Sequence, residues 1–318
     1  LCKKKCLVCF SNITRLILSL NLITFRKGEI RMKRRSLVVL AAVLLLASFI
    51  SYASAESLLD EVMKRGTVRI GHGNATPPMN YIDEKGEWTG FDVDLGSAIA
   101  EKLGVKIERV LVDNKTRIAF LANRSIDISL ANISQTRSRE EQMDYAEPPY
   151  FWTGKIFYAK KGKFKSLKDL GGKKIGVDQG SNAFIAAPQE IAKYTNKKPE
   201  MLSFQNSAEG FLALKQGKID AYSQDAPIMA AVAGNLGAEY EAVGGMIYSP
   251  GLYGIGVPQD DSKWRDKISF ILQDMLKDGT YEKLYQKWFG PKGKFPMSVN
   301  SRPRLSDTYG DMLYVWPD

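Results

Sequence analysis

Four positions in this sequence could handle charge. Gly180-Ser181-Asn182 opens a predicted helix, and the free backbone N–H groups and positive dipole end of a helix N-terminus favour an anion. Ser181 would serve equally as an ordinary N-cap, and the two roles are compatible. Arg139 stands at the start of another predicted helix. Its guanidinium stays charged and can hold a carboxylate through two parallel hydrogen bonds; a solvated arginine, like Arg137 beside it, is the plainer alternative. Asp225 precedes Ala226-Pro227, where an N-cap followed by proline in the first turn is the default. His72 is the only histidine; a single imidazole without cysteine or an acidic cluster is poor metal-site material, and a strand-end or core position suits it better. No metal or cofactor is expected.

The elements that must position these residues alternate in type. Val68 to Gly71 reads as a strand, followed by a loop with Pro77 and Pro78 and a turn at Asp83-Glu84-Lys85-Gly86. Phe91, Leu95, Ile99 and Leu103 recur at helical spacing and Gly104 closes that helix. Val105 to Val112 is a strand, Asn114 stands as N-cap of a helix over 117–122, and Ile126 to Ala131 is a strand. The pattern then repeats: strand 174–177, a helix from Gly180 that Pro188 would bend, helix 209–215, strand 219–223 and a helix from Ala226. Lys263 to Phe289 closes as a strongly helical segment. Such alternation predicts an α/β fold whose sheets are mixed and largely parallel, flanked by helices. Two similar lobes leave a ligand cleft between them, where strand ends and helix N-termini point inward.

Composition misleads until the chain is divided. Met32 to Ala55 has a basic start (Lys33, Arg34, Arg35), an apolar run from Leu37 to Ile50 and the small-residue site Ala53-Ser54-Ala55. This is the pattern of a secretory signal peptide cut after Ala55, and the apolar run is short for a membrane span of about 20 residues. Residues 1–31 are expected to be upstream mistranslation, since Leu1 is an unusual initiator. All three cysteines lie there, at 2, 6 and 9, so disulfides and thiolate metal sites are not expected in the mature chain. From Glu56 on, 35 basic residues face 34 acidic ones, and the formal +10 of the full sequence shrinks to about +1. Nucleic acid is therefore not expected as a partner.

Four stretches in register carry a resemblance: Gly90-Phe91-Asp92-Val93-Asp94-Leu95, Ser134-Gln135-Thr136-Arg137-Ser138-Arg139, Asp144-Tyr145-Ala146-Glu147-Pro148-Pro149-Tyr150 and Gly217-Lys218-Ile219-Asp220-Ala221. In this order, over roughly Val68 to Gly290, the chain resembles the periplasmic solute-binding proteins (family 3) of polar amino-acid ABC transporters. Asn114-Lys115-Thr116-Arg117-Ile118 and the tail through Phe295-Pro296-Met297 look most like the glutamate/aspartate-binding branch. The resemblance implies the two-lobe periplasmic-binding-protein fold, with residues 56–150 and 253–318 as lobe 1, 151–252 as lobe 2, and hinges near Tyr150 to Gly154 and Ser249 to Gly254. It also implies a monomeric periplasmic receptor that hands an amino acid to an ABC permease in the inner membrane.

The same resemblance assigns roles. Arg139 would hold the ligand α-carboxylate, gripped from the other lobe by Ser181 and Asn182. Asp225 would pair with the α-ammonium, its cage completed by Ser134 and the Asn132 carbonyl, while Asp220 is structural. Where the glutamate/aspartate branch has an arginine and a histidine against the acidic side chain, this sequence has Gly73 and Ser207. Where other members stack an aromatic, it has Asn114 and Thr76. Asn114, Arg117, Thr76, Asn74 and Ser207 would then form a polar subsite for a small polar, acidic or amide amino acid. Trp152 and Phe151 are expected to pack. The alternative is a cyclohexadienyl or arogenate dehydratase on the same fold. It would need a glutamate as general acid shortly after the glycine turn, aligned here with Ala183, and no enzyme is expected.

Overall fold

The computed structural model describes residues 23–26, 29–32, 56–229, 231, 239–245, 248–297 and 302–303. The chain forms two units, Leu1–Glu56 and Ser57–Asp318. In the first, β1 (Ile23–Arg26) and β2 (Glu29–Met32) pair antiparallel. Beyond Met32 the expected signal peptide and its cleavage point lie outside the described residues, as does most of the tail after Met297.

The second unit starts with α1 (Leu58–Arg65), whose Ser57 cap accepts from the Leu59 N–H and whose end turns at Gly66 with φ +68°. Then come β3 (Thr67–His72), the small antiparallel set β4 (Ala75–Thr76), β5 (Asn80–Ile82) and β6 (Trp88–Thr89), and α2 (Phe91–Leu103). Helix α2 matches its predicted span residue for residue, because Gly104 adopts φ +71° and takes the closing hydrogen bonds. Next follow β7 (Lys106–Leu111), α3 (Arg117–Ala122), β8 (Ile128–Ser129), α4 (Arg137–Glu140) and the long β9 (Asp144–Lys160). The later part holds β10 (Lys174–Asp178), α5 (Ala183–Ala192), β11 (Glu200–Phe204), α6 (Ser207–Lys215), β12 (Ala221–Asp225) and β13 (Tyr240–Ala242). It closes with β14 (Tyr248–Val257), α7 (Ser262–Lys277) and α8 (Thr280–Phe289).

One sheet runs in the order β11-β10-β12-β9-β14-β8-β3-β7, with β13 added to β9. Its flanks are parallel: β10 lies parallel to β11 and β12, and β3 to β7 and β8. Its centre is antiparallel, where β9 meets both β12 and β14. The fold is therefore α/β, two lobes each with a parallel three-stranded core, joined by the β9–β14 pair. The two predicted hinge segments sit side by side in that pair, with Gly154 opposite Pro250 and Phe151 opposite Tyr253.

Each lobe has its own cores. On one side Phe91, Tyr150, Phe151, Tyr253, Tyr285 and Phe289 cluster, with Phe151 and Phe289 ring centroids 5.0 Å apart. On the other, Phe157, Ile175, Ile191 and Ala221 form one core and Phe211, Leu214, Ile219 and Tyr222 another. Phe151 packs as expected, fully buried, but Trp152 points outward at 44% exposure, since successive strand residues face opposite sides.

Three local expectations change. The closing helical segment breaks into α7 and α8, because Gly279 sits at φ +78° between them. The strand expected over 126–131 reduces to β8, after which Asn132 turns the chain at φ +44°. Asn114 does not cap α3. The Asp113 carboxylate accepts from the Lys115 and Thr116 N–H groups at 2.8 Å each, which a charged acceptor does better than an amide, and Asn114 is left free for the cleft.

Candidate ligand-binding site

The cleft lies beyond the ends of β3, β7, β8, β10 and β11, whose following residues line it. Arg139 comes from α4 and is 8% exposed. Its Nη1 donates to the Ser134 carbonyl at 2.7 Å and its Nη2 to the Gly180 carbonyl at 3.2 Å. Ser134 follows β8, in the β8-β3-β7 half of the sheet, and Gly180 follows β10, in the β11-β10-β12 half, so this guanidinium spans the two halves. Gly180 has φ +68°, and a Cβ there would come within 2.9 Å of the Asn114 carbonyl oxygen. Gly180, after β10, therefore packs closely against Asn114, after β7. The Ser181 hydroxyl is buried without a hydrogen-bond partner among the described residues, beside the first turn of α5. Burial pulls the Arg139 pKa below its ordinary value, while Tyr145 and Asp225 act the other way.

Asp225 ends β12 and is 4% exposed. Both carboxylate oxygens are engaged: Oδ1 accepts from Lys155 Nζ and Oδ2 from the Tyr253 hydroxyl, each at 2.7 Å. Lys155 is 2% exposed and was not anticipated from sequence. The available signal was a lone charge in the otherwise uncharged run from Gly154 to Ala159. A carboxylate offers about four lone-pair sites, so Asp225 keeps acceptor capacity for a second ammonium.

Thr76, Asn114, Asn74 and Asn132 line a cavity of about 60 Å³ together with Asn80, Asp178 and Asn206. Arg139, Ser181 and Asn182 line a wider groove of about 760 Å³, with Lys115 and Phe184. Arg117, Ser207 and Asp225 line neither among the described residues. Arg117 is 2% exposed and hydrogen-bonds the Ala131 carbonyl, held behind the site where burial and repulsion from Arg139 lower its pKa. Ser207 stands behind Asp178, donating to its Oδ2 at 2.8 Å.

Asp92 organises the floor. It accepts from the Asn80 amide at 2.7 Å, the Asn132 N–H at 2.8 Å and the Tyr150 hydroxyl at 2.9 Å, and burial pushes its carboxyl up to about 6. These bonds hold Asn132 in its left-handed conformation, uncommon for a residue with a side chain. His72, fully buried, places Nδ1 2.7 Å from the Leu130 carbonyl, so that nitrogen carries the proton. Among the described residues no group of three metal-ligating side chains forms.

Burial drags the His72 pKa down to about 4. The unfolded chain then binds the proton more readily, so stability present above pH 6.5 is lost as pH falls toward 4. His72→Gln is expected to remove this dependence, a relative change of about 3 kcal/mol at pH 4. Urea unfolding of both proteins at pH 7 and pH 4 measures it; equal losses on acidification would show that His72 does not carry the effect.

Comparison with known proteins fits this geometry. Residues 68–291 match the family model of bacterial extracellular solute-binding proteins, family 3. The ABC transporter glutamine-binding protein GlnH of Bacillus subtilis (strain 168) is 35% identical over 210 residues, 64% of this chain and 73% of that protein. The lysine/arginine/ornithine-binding periplasmic protein of Escherichia coli (strain K12) is 28% identical over 78% of this chain and 95% of its own length. Among solved structures, an ancestral arginine-binding protein bound to glutamine aligns with TM-score 0.64 and 39% identity, covering 71% of this chain and 99% of that one. The ancestral amino acid-binding protein AncCDT-1, a precursor of cyclohexadienyl dehydratase, aligns with TM-score 0.66 and 33% identity over 73% and 99%. With the two-lobe sheet, the bridging arginine and a match over most of its length, the chain belongs to the bacterial extracellular solute-binding proteins, family 3.

Proposed function

We propose that this protein is a secreted receptor that closes on one polar amino acid between its lobes and delivers it to an ABC importer. Lobe 1 comprises residues 56–150 and 253–318 and lobe 2 residues 151–252, with the chain crossing on β9 and β14. The observation that supports the reading is that Arg139 and Asp225, far apart in sequence, are both buried and that the Asp225 carboxylate acts electrostatically on the Arg139 guanidinium. A zwitterion removed from water needs both charges matched. The α-carboxylate goes to Arg139, with Ser181 and Asn182 at the α5 N-terminus. The α-ammonium goes to Asp225, Ser134 and the Asn132 carbonyl, and the side chain to the cavity of Thr76 and Asn114. Arg117 and Ser207 act from behind.

Contacts made only when the lobes meet shift the open–closed equilibrium toward closure, and the closed form is what the permease would recognise. No helix among the described residues is long and apolar enough to cross a membrane. The test is thermal unfolding against each common amino acid: a ligand at 100 times its dissociation constant stabilises by about 2.7 kcal/mol. A panel in which none stabilises the protein sinks the receptor reading.

The likeness to a dehydratase precursor keeps a second reading in play. The aligned general-acid position is Ala183, fully buried at the start of α5, and alanine cannot donate a proton. Incubation with prephenate or arogenate separates the two, since turnover would make the protein an enzyme.

A further inference from the structure

The cleft is electrically lopsided. Arg139 and Lys115 line the wide groove, whereas the charged side chains lining the small cavity among the described residues are the acids Asp113 and Asp178, with no lysine or arginine. Asp113 is occupied with its own turn, accepting from the Lys115 and Thr116 N–H groups. Asp178 is different. It is 3% exposed, and the hydrogen bonds it accepts come from three neutral donors: the Ser207 hydroxyl at 2.8 Å, the Gln224 amide at 2.6 Å and the Tyr222 hydroxyl. Among the described residues it has no salt bridge, unlike Asp225 with Lys155.

A second acceptor lines the same cavity. Asn80 is fully buried, and its Nδ2 is committed to Asp92. Its Oδ1 has no hydrogen-bond partner among the described residues. That oxygen lies close over Gly73, where an added Cβ would come within 2.4 Å of it. A buried carboxylate without a cation leaves its charge uncompensated and a buried carbonyl without a donor leaves a hydrogen bond unmade, and both are costly. Guanidinium and ammonium heads are donors only and carry the missing charge. An acidic side chain would bring more acceptors and a like charge.

We propose that Asp178, assisted by the orphaned carbonyl of Asn80, is the specificity-determining residue of this site and selects an amino acid whose side chain ends in a cation. This rests on the receptor reading above. In it the α-carboxylate lies at the Arg139 side of the cleft and the distal cation at the Asp178 side, and Ser207, Gln224 and Tyr222 hold the Asp178 carboxylate in place.

The experiment is isothermal titration of the purified protein with L-arginine against its neutral isostere L-citrulline, and L-lysine against L-norleucine, with L-glutamine and L-glutamate alongside. At least one cationic amino acid is expected to bind tenfold or more tighter than its neutral partner and tighter than either glutamine or glutamate. Asp178→Asn is expected to shrink that ratio to below threefold. Equal binding within both isosteric pairs, or a preference for glutamine or glutamate, overturns the Asp178 assignment and leaves the receptor reading standing. An unchanged ratio in Asp178→Asn overturns it too, and binding of no amino acid overturns both. Should that variant fail to fold, the isostere ratios of the unaltered protein still decide.

Discussion

Replacing Asp225 by alanine is expected to destabilise the ligand-free protein by about 3–5 kcal/mol, the usual cost of leaving one partner of a buried ion pair alone. The stranded group is Lys155, whose side chain is 2% exposed and pairs with Asp225. The lysine has little room to reach water from the middle of β9, and the Tyr253 hydroxyl loses its acceptor as well. The double variant Asp225→Ala/Lys155→Met is expected to recover most of the loss, because apolar side chains of similar volume replace buried ion pairs at little cost. Urea unfolding of the three proteins measures this. A single variant as stable as the parent would mean that Lys155 finds another partner. The double variant, with the ion pair removed whole, is the probe of ammonium recognition.

Arg139 should behave in the opposite way. Arg139→Met is expected to weaken binding of the cognate amino acid about a thousandfold, about 4 kcal/mol, within the range for losing one partner of a buried charge pair. Ligand-free stability should change by less than about 1 kcal/mol, because removing the charge relieves a desolvated guanidinium and its repulsion of Arg117. Arg139→Lys should restore little, since a point charge does not reproduce the two-pronged grip. Calorimetric titration together with urea unfolding checks both halves. Affinity within tenfold of the parent in Arg139→Met would remove this residue from the carboxylate site.

The contrast follows from what each charge meets within the protein. Asp225 is already neutralised from within, by a residue of the same lobe-joining strand pair. Arg139 donates to the neutral carbonyl oxygens of Ser134 and Gly180 and among the described residues forms no salt bridge, so it has the larger unmet electrostatic need.

Much of the architecture was legible along the chain because it rests on local signals. Helical spacing from Phe91 to Leu103 and the glycine after it determined α2, and β-branched or apolar runs marked β3, β7 and β10. The break at Gly279 was missed, since apolar periodicity continues across it while one left-handed residue redirects the backbone. The Asp113 turn ahead of α3 was not legible because Asp and Asn both close such turns, and only the folded chain shows which one accepts.

Residue types and order determined, without coordinates, the alternation of strands and helices, the two-lobe plan and the positions of Arg139, Asp225, Ser181 and Asn114 near strand ends and helix starts. Tertiary structure decided who neutralises whom: that Lys155 pairs with Asp225, that Arg117 and Ser207 stand behind the cleft, and that Asp178 and Asn80 face its small cavity without a cation. The reason is physical. Secondary structure follows from neighbours a few residues apart, whereas burial and charge pairing depend on groups 70 residues apart, as Lys155 and Asp225 are, meeting in a medium of low dielectric where each uncompensated charge is expensive.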